Sequence, residues 1–160
     1  MGSFMHVVYS DQPVRFIGPS IFLAGPTPRR ESVPSWRPEA LRLLEQFAFE
    51  GTVFVPEHAE PALGYDFLTQ VEWEFAALER ADAILFWIPR DAVDLPGFTT
   101  NVEFGRYVGS GRAVYGRPDD RPHNAYLDWL YEKLNAKPPL RDFREAVRAA
   151  IARACAEATR

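Results

Sequence analysis

A carboxylate next to a predicted buried strand is the first candidate for chemistry in this chain. Glu103 lies within residues 97–105, Gly-Phe-Thr-Thr-Asn-Val-Glu-Phe-Gly, which follow a strongly apolar run at residues 83–88. The pattern predicts that Glu103 lies in the first turn of a helix, just beyond the C-terminal end of the strand. Ligands bind at that edge of open α/β sheets, so Glu103 is a candidate catalytic group. The alternative is a carboxylate that complements the helix dipole or completes a cap with Thr99 or Thr100.

A second candidate segment, residues 25–32, directly follows a short apolar run and combines small residues, a hydroxyl group and two arginines. Such a loop suits the close approach of an anion, such as a phosphate or a carboxylate. The candidate binding residues in it are Gly25, Pro26, Thr27 and Arg29. The segment matches neither the dinucleotide-binding fingerprint nor a Walker loop. An ordinary solvated loop is the alternative.

Apolar runs alternate with segments of helical spacing along the chain. Strands are expected at residues 20–25, 52–57, 83–88 and 112–116. This alternation predicts an α/β fold, a single doubly wound domain whose mainly parallel, four- to five-stranded sheet carries helices on both faces. The domain is expected to span residues 20–160. Residues 1–19 are expected to form an N-terminal extension on its surface, in which a short edge strand could lie at residues 7–9.

Two later helices have apolar stripes. In the helix predicted at residues 67–80, the stripe expected to face the sheet is Leu68, Val71, Phe75 and Leu78. Glu72 and Glu74 are two residues apart, so one should point to solvent and the other toward the strand ends or a neighbour. The last helix, from residue 142, is expected to pack on this domain or on another subunit.

The loops after the predicted strands meet at one rim of the sheet. Their charged residues are Arg29, Glu57, Asp91, Glu103 and Asp119. This convergence favours a functional role for Glu103 over a cap. Trp36 opens the first helix and faces the same rim together with Arg37, where its ring could stack on a base or simply pack.

Composition and charge bound the function. The 160 residues are 47% hydrophobic and 25% charged, as in an ordinary globular domain. The net charge of −4 argues against binding to a nucleic-acid polymer. Cys155 is the only cysteine and His58 lacks a partner at metal-ligand spacing, so neither a disulfide within the chain nor a metal site is expected. Because there is no signal-peptide pattern and no apolar run of ~18 residues, we expect a cytoplasmic protein without a membrane segment. No cofactor is expected either.

Four motifs occur in a fixed order: Ile-Phe-Leu-Ala-Gly-Pro at residues 21–26, Glu-Arg-Ala-Asp at 79–82, Ala-Ile-Leu-Phe-Trp-Ile-Pro at 83–89 and Asn-Val-Glu-Phe-Gly at 101–105. Over roughly residues 20–130, this set resembles the nucleoside 2-deoxyribosyltransferase superfamily, and more closely its 2-deoxyribosyltransferase-like branch. The resemblance implies chemistry on the N-glycosidic bond of a nucleoside or nucleotide.

The resemblance also implies roles for individual residues. By motif position, Glu103 corresponds to the nucleophile that attacks the anomeric carbon and forms a glycosyl-enzyme ester. Glu74 corresponds to the carboxylate that recognises the base and takes part in proton transfer, where the family more usually has Asp. Asn101 stands near the family's second acid, and Asp91 and Asp94 lie in the loop before it. Phe22 stands where the family often has Tyr.

The resemblance leaves the fate of the sugar open between transfer to a second base and hydrolysis. Related members hydrolyse nucleoside 5'-monophosphates and hold the phosphate with first-loop residues, a role open to Thr27, Arg29 and Arg30. A nucleotide-binding or sensing module with little turnover, or a purely structural subunit, are the other classes considered. Family members are commonly homo-oligomers in which a neighbour closes the pocket. The candidate contact surfaces are the helix from residue 142 and the rings of Tyr126, Trp129 and Tyr131.

Overall fold

The fold is built on one parallel sheet. The computed structural model describes residues 4–60, 64, 66–119 and 123–158, with side chains described through residue 156. Within these residues five strands pair in the order β1-β3-β2-β4-β5, and every pairing is parallel. The strands are β1 Met5–Tyr9, β2 Ser20–Ala24, β3 Gly51–Val55, β4 Ala83–Trp87 and β5 Ala113–Gly116. The predicted edge strand at residues 7–9 is confirmed as part of β1.

Helices cover both faces of the sheet. They are α1 Arg37–Gln46, α2 Phe67–Arg80, α3 Phe98–Tyr107, α4 Ala125–Asn135 and α5 Phe143–Ala158. Buried residues of α1 and α5 pack on one face, and buried residues of α2, α3 and α4 pack on the other. This arrangement confirms the predicted doubly wound α/β fold. None of the helices in the described part of the chain is long and apolar enough to cross a membrane.

The candidate contact surfaces differ in their exposure. α5 packs on this domain, with Val147 and Ala150 buried against the sheet, which is one of the two alternatives expected for it. Tyr131 is also buried, so it is unavailable as the surface contact that the sequence indicated. Tyr126 and Trp129 are exposed on α4.

The face of α2 that packs on the sheet differs from the predicted one. Leu68, Val71 and Phe75 are 67%, 41% and 53% exposed, so their predicted contact with the sheet is wrong. Trp73 and Ala77 pack there instead. The reason is that the large ring of Trp73 fills this face, and its indole N–H finds a partner in the Gln12 carbonyl oxygen at 2.9 Å.

The predicted position of Glu103 in the first turn of its helix is also wrong. α3 begins at Phe98, so Glu103 lies in the second turn, and no side chain caps this helix. Gly97 takes the N-cap position with a left-handed φ of 65°, which starts the helix earlier than the sequence indicated. The capping alternative for Glu103 is therefore excluded.

The strand order reverses between β2 and β4, and such switch points leave a crevice at the carboxyl ends of the strands. The loops that follow these two strands are joined across it. The backbone N–H of Arg29 donates to the Asp94 carbonyl oxygen at 3.1 Å, and Arg30 Nε donates to Asp94 Oδ1 at 2.7 Å. These bonds fix the distance between the two loops that border the crevice.

Replacing Gly25 by Ala should destabilise the protein by more than about 2 kcal/mol. A Cβ atom at this position would lie 2.2 Å from the Trp87 carbonyl oxygen and 2.8 Å from the Trp36 ring. The matched control is Gly105→Ala on α3, where a Cβ atom meets nothing within 4 Å. There we expect no loss, or a gain of up to ~1 kcal/mol from helix propensity. Chemical denaturation measures both, and equal stabilities would contradict the close approach at Gly25.

Candidate functional site

A cavity of about 340 Å³ opens at the switch point between β2 and β4. Three elements form its walls: the loop after β2, one side of α2, and the start of α3 with the loop before it. Its lining residues are Gly25, Pro26, Thr27, Arg29, Arg37, Pro56, Phe67, Gln70, Val71, Glu74, Pro96, Gly97, Phe98, Thr99, Thr100 and Glu103. The wall therefore combines small residues, apolar rings, hydroxyl groups and charges of both signs.

Two carboxyl groups form the polar centre of this cavity. Glu74 comes from α2 and Glu103 from α3, and both line the cavity close enough for their carboxyl groups to interact directly. Burial raises the pKa of both groups, and the nearby Glu74 charge helps to raise the pKa of Glu103 to about 8. Two partly buried carboxyl groups in contact cannot both ionise easily, and with a pKa of about 8 Glu103 is the one that keeps its proton at neutral pH.

The pair has fixed surroundings. Gln70 Nε2 donates to Glu74 Oε1 at 2.6 Å, one turn along α2, which favours the ionised form of Glu74 and lowers its pKa against the effect of burial. The positive charge of Arg37 lowers the pKa of both acids. The site thus holds one anionic and one protonated carboxyl group beside a cation, which is the set of groups that acid and nucleophilic chemistry requires.

The cation is held by the loop after β2. Arg37 is only 1% exposed. Its Nε donates to the Leu23 carbonyl oxygen at 3.0 Å, its Nη2 to the Gly25 carbonyl oxygen at 2.7 Å, and its Nη1 to Thr27 Oγ1 at 2.9 Å. Nη1 also lies 3.5 Å from Glu57 Oε2, so Arg37 has a counterion outside the acid pair. One guanidinium group therefore fixes the loop and sets the charge of the cavity.

The outer wall carries a second cation. The Arg29 guanidinium lies over the Phe98 ring, 5.4 Å from its centroid, and both residues are exposed at the mouth of the cavity. A cation held over an aromatic ring is oriented while it stays in water. Arg29 is thereby available to an anion that enters the cavity.

Most of the predicted site residues meet at this cavity. The ones that line it are Gly25, Pro26, Thr27, Arg29, Glu74 and Glu103. Trp36, Asp91, Asp94 and Asn101 are absent from its described lining. Trp36 is buried, packs against Phe143 and donates its indole N–H to the Pro26 carbonyl oxygen at 3.2 Å. Its contacts are those of the packing alternative.

The acidic loop before α3 has structural contacts. Asp91 Oδ1 accepts the backbone N–H groups of Val93 and Asp94, both at 2.9 Å, which closes a turn. The carboxylate of Asp94 is bound by Arg30. Asn101 Oδ1 accepts from Arg90 Nη2 at 2.6 Å, so its side chain anchors the same loop. Phe22 is fully buried in the core beside Trp73 and does not line the cavity.

Sequence reasoning missed several cavity residues. Gln70 and Phe67 precede Glu74 by one and two helical turns, so helical spacing from Glu74 could have indicated them. Arg37 was assigned to the rim, but nothing in its spacing indicated its contacts with the loop. Among the described residues, no three His, Cys, Asp or Glu side chains cluster in a way that could hold a metal ion.

Replacing Glu103 by Gln should remove a pH dependence of stability. The pKa of Glu103 is about 8 in the folded protein against a usual 4.5, so the folded state binds more protons between these values. The stability that this proton provides is full below the usual value and is lost as pH rises through the folded value. We expect the free energy of unfolding of the wild type to fall by at least about 2 kcal/mol from pH ~5 to ~8. A neutral Gln lacks this loss.

Chemical denaturation at several pH values measures the effect. The control is Glu72→Gln, which changes the same charge at an exposed position of α2 and should follow the wild-type pH curve. Parallel curves for Glu103→Gln and the wild type would refute the raised pKa.

Comparison with known protein families agrees with this site. The family model described as nucleoside 2-deoxyribosyltransferase like matches residues 18–120, a span that contains β2 to β5 and both carboxylates of the cavity. A comparison with curated proteins gave no significant match. The family match covers well over half of the 160 residues and agrees with the resemblance that the motifs indicated. The chain therefore belongs to the nucleoside 2-deoxyribosyltransferase-like family.

Proposed function

We propose that this protein breaks the N-glycosidic bond of a nucleoside or nucleotide through a covalent glycosyl intermediate on Glu103. The observation that carries the proposal is the direct interaction of the two partly buried carboxyl groups of Glu74 and Glu103 inside the cavity. Family membership supports a nucleoside as the substrate class. The pair supplies the two groups that the reaction needs: a carboxylate for the sugar and an acid for the base.

Before the first half of the reaction, the proton that the raised pKa places on Glu103 passes to the adjacent Glu74 carboxylate, so that Glu103 becomes the anion and Glu74 the acid. A carboxylate oxygen of Glu103 bonds to the anomeric carbon, the carbon–nitrogen bond breaks, and its electron pair leaves with the base. Glu74 gives its proton to the departing base. The carboxylate also stabilises the positive charge that develops on the sugar, and the positive charge of Arg37 favours the ionised form of Glu103.

In the second half, an acceptor takes the sugar from the Glu103 ester. The acceptor is the nitrogen of a second base or the oxygen of water, and its proton goes to Glu74, which restores the shared proton. Transfer and hydrolysis differ only in this acceptor. Both outcomes are included in the proposal.

Arg29 and Thr27 are proposed to hold the 5' end of the substrate. Both line the cavity, and Arg29 is exposed at its mouth over Phe98. A guanidinium group and a hydroxyl group are suited to a phosphate. Arg30 is bound to Asp94, so it contributes to the position of the loop.

The proposal predicts that Glu103→Ala and Glu103→Gln reduce base release by roughly 1,000-fold or more, because they remove the nucleophile. Glu74→Gln should slow release by about 100- to 10,000-fold, because the base must then leave without its acid. A panel of nucleosides and 5'-monophosphates, with and without a free acceptor base, would be incubated with each protein. Chromatography of the released and exchanged bases measures the rates.

Glu72→Gln is the control and should retain the wild-type rate, because Glu72 is exposed on α2 outside the cavity. A new nucleoside formed only when acceptor base is present identifies transfer, and free sugar identifies hydrolysis. Full turnover in the Glu103 variants would refute the covalent mechanism. Tight nucleotide binding with no base release by the wild type would favour a binding or sensing module.

A homo-oligomer is also proposed, and its support is an apolar surface beside the cavity mouth. The exposed apolar side chains of α2 and α3 are Phe67, Leu68, Val71, Phe75, Phe98 and Val102. Three of them, Phe67, Val71 and Phe98, also line the cavity, so a second copy on this surface would cover the mouth. Exposed apolar patches of this kind mark interaction sites.

Phe75→Glu should therefore convert the protein to a monomer, because it places a charge in the middle of this apolar surface. Sedimentation velocity measures the mass in solution. Trp129→Glu makes the same change on α4 and should leave the oligomer intact. A wild type that sediments as a monomer would refute the oligomer, and dissociation by Trp129→Glu alone would place the contact on α4.

A further inference from the structure

Gln70 has an unusual position at the junction of two cavities. It lines the cavity of the acid pair and also a neighbouring cavity of about 470 Å³ under the loop after β2. The residue is only 6% exposed, although residues of both cavities around it are charged or polar. A buried amide at such a junction must satisfy its hydrogen bonds there.

The two acceptors around the amide nitrogen fix how the Gln70 side chain is turned. Nε2 donates to Glu74 Oε1 at 2.6 Å and to the Pro56 carbonyl oxygen at 3.5 Å. In the flipped orientation, the Gln70 oxygen would face the Pro56 carbonyl oxygen and the carboxylate oxygen of ionised Glu74, and neither of these atoms can donate to it. The Gln70 atom left without a partner is therefore Oε1, because no donor among the described residues lies within hydrogen-bond distance of it.

A buried acceptor without a donor costs roughly 1–3 kcal/mol, and a ligand that supplies an N–H or O–H group recovers it. Gln70 lies one helical turn before Glu74, so the two side chains project from the same side of α2. Under the proposed function, Glu74 gives its proton to an acceptor atom of the base. A donor on the base next to that acceptor atom would therefore reach Gln70 Oε1.

We propose that Gln70 selects the nucleobase by accepting an N–H group adjacent to the base atom that Glu74 protonates. The inference rests on the proposed function, because it takes Glu74 as the proton donor to the base. It defines the substrate class by a pair of neighbouring atoms: an acceptor for Glu74 and an N–H donor for Gln70.

Protonation at N7 of a purine or at O2 of a pyrimidine helps the base to leave, and at these atoms the required pair of neighbours divides the common bases. Adenine presents N7 beside its 6-amino group, and uracil and thymine present O2 beside N3–H, so these bases fit. Hypoxanthine and guanine present N7 beside O6, and cytosine presents O2 beside the unprotonated N3. In this second group, the neighbour of the atom that Glu74 protonates is itself an acceptor. It faces Gln70 Oε1 without a hydrogen atom to donate. A site that hydrogen-bonds one group rejects the analogue that lacks the donor, because a buried polar atom is left unpaired.

The test compares two matched substrate pairs in the wild-type protein, adenosine against inosine and uridine against cytidine, each also as the 2'-deoxynucleoside and the 5'-monophosphate. We expect kcat/KM for base release to favour adenosine and uridine by at least about 10-fold. In Gln70→Leu this ratio should approach 1. Gln46→Leu, the same change at an exposed position of α1, should keep the wild-type ratio. The wild-type comparison stands even if the Gln70 variant fails to fold.

Equilibrium binding of the same nucleosides to the Glu103→Ala protein distinguishes a failure of the Gln70 proposal from a failure of the proposed reaction. Preference for adenosine and uridine in binding, with no base release by the wild type, supports the role of Gln70 and overturns the proposed reaction. Base release with equal efficiency within both pairs overturns the role of Gln70 and leaves the reaction intact. Equal efficiency is also the result if a sugar hydroxyl, common to every nucleoside, satisfies Oε1.

Discussion

The site depends on one buried guanidinium group. Arg37 donates to the carbonyl oxygens of Leu23 and Gly25, which extend from the end of β2, and to the hydroxyl of Thr27. These three bonds tie the end of β2 and the loop after it to the start of α1. A hydrogen bond from a charged donor is stronger than a neutral one. Without Arg37, the loop that forms one wall of the cavity would lose its internal support.

The same charge decides how the acid pair behaves. Burial alone would favour two neutral carboxyl groups, and an unopposed cation would favour two anions. The pKa of Glu103 is raised to about 8 although Arg37 lowers it, so burial and the charge of Glu74 outweigh the cation at this residue. The result is a pair of carboxyl groups that holds one proton. Such a pair lowers the stability of the folded protein relative to a hydrophobic or neutral pair at the same positions. A site prepared for acid and nucleophilic chemistry has this cost in common with other buried carboxyl pairs.

The sequence predicted the sheet because short apolar runs define the strands. The motif order singled out Glu103 and Glu74, and both line the cavity, while their catalytic roles stay a prediction. The roles of Arg37 and Gln70 could not be predicted in the same way, since they depend on contacts between segments distant in sequence. Asp91, Asp94 and Asn101 show the opposite case. Acidic and amide side chains near a rim suggested binding, yet their oxygens accept hydrogen bonds from the turn, from Arg90 in the same loop and from Arg30 in the loop after β2.

The orientation of α2 links the wrong prediction about its apolar face to the site itself. Successive residues of a helix are rotated by about 100°. With Trp73 facing the sheet, Gln70 and Glu74 lie next around the helix and face the cavity, and Val71 and Phe75 follow on the outer side. Had Phe75 packed on the sheet, Glu74 would have been turned away from Glu103 and the interaction of the two carboxyl groups would be lost. The exposed apolar surface and the acid pair are therefore two consequences of one packing choice at Trp73.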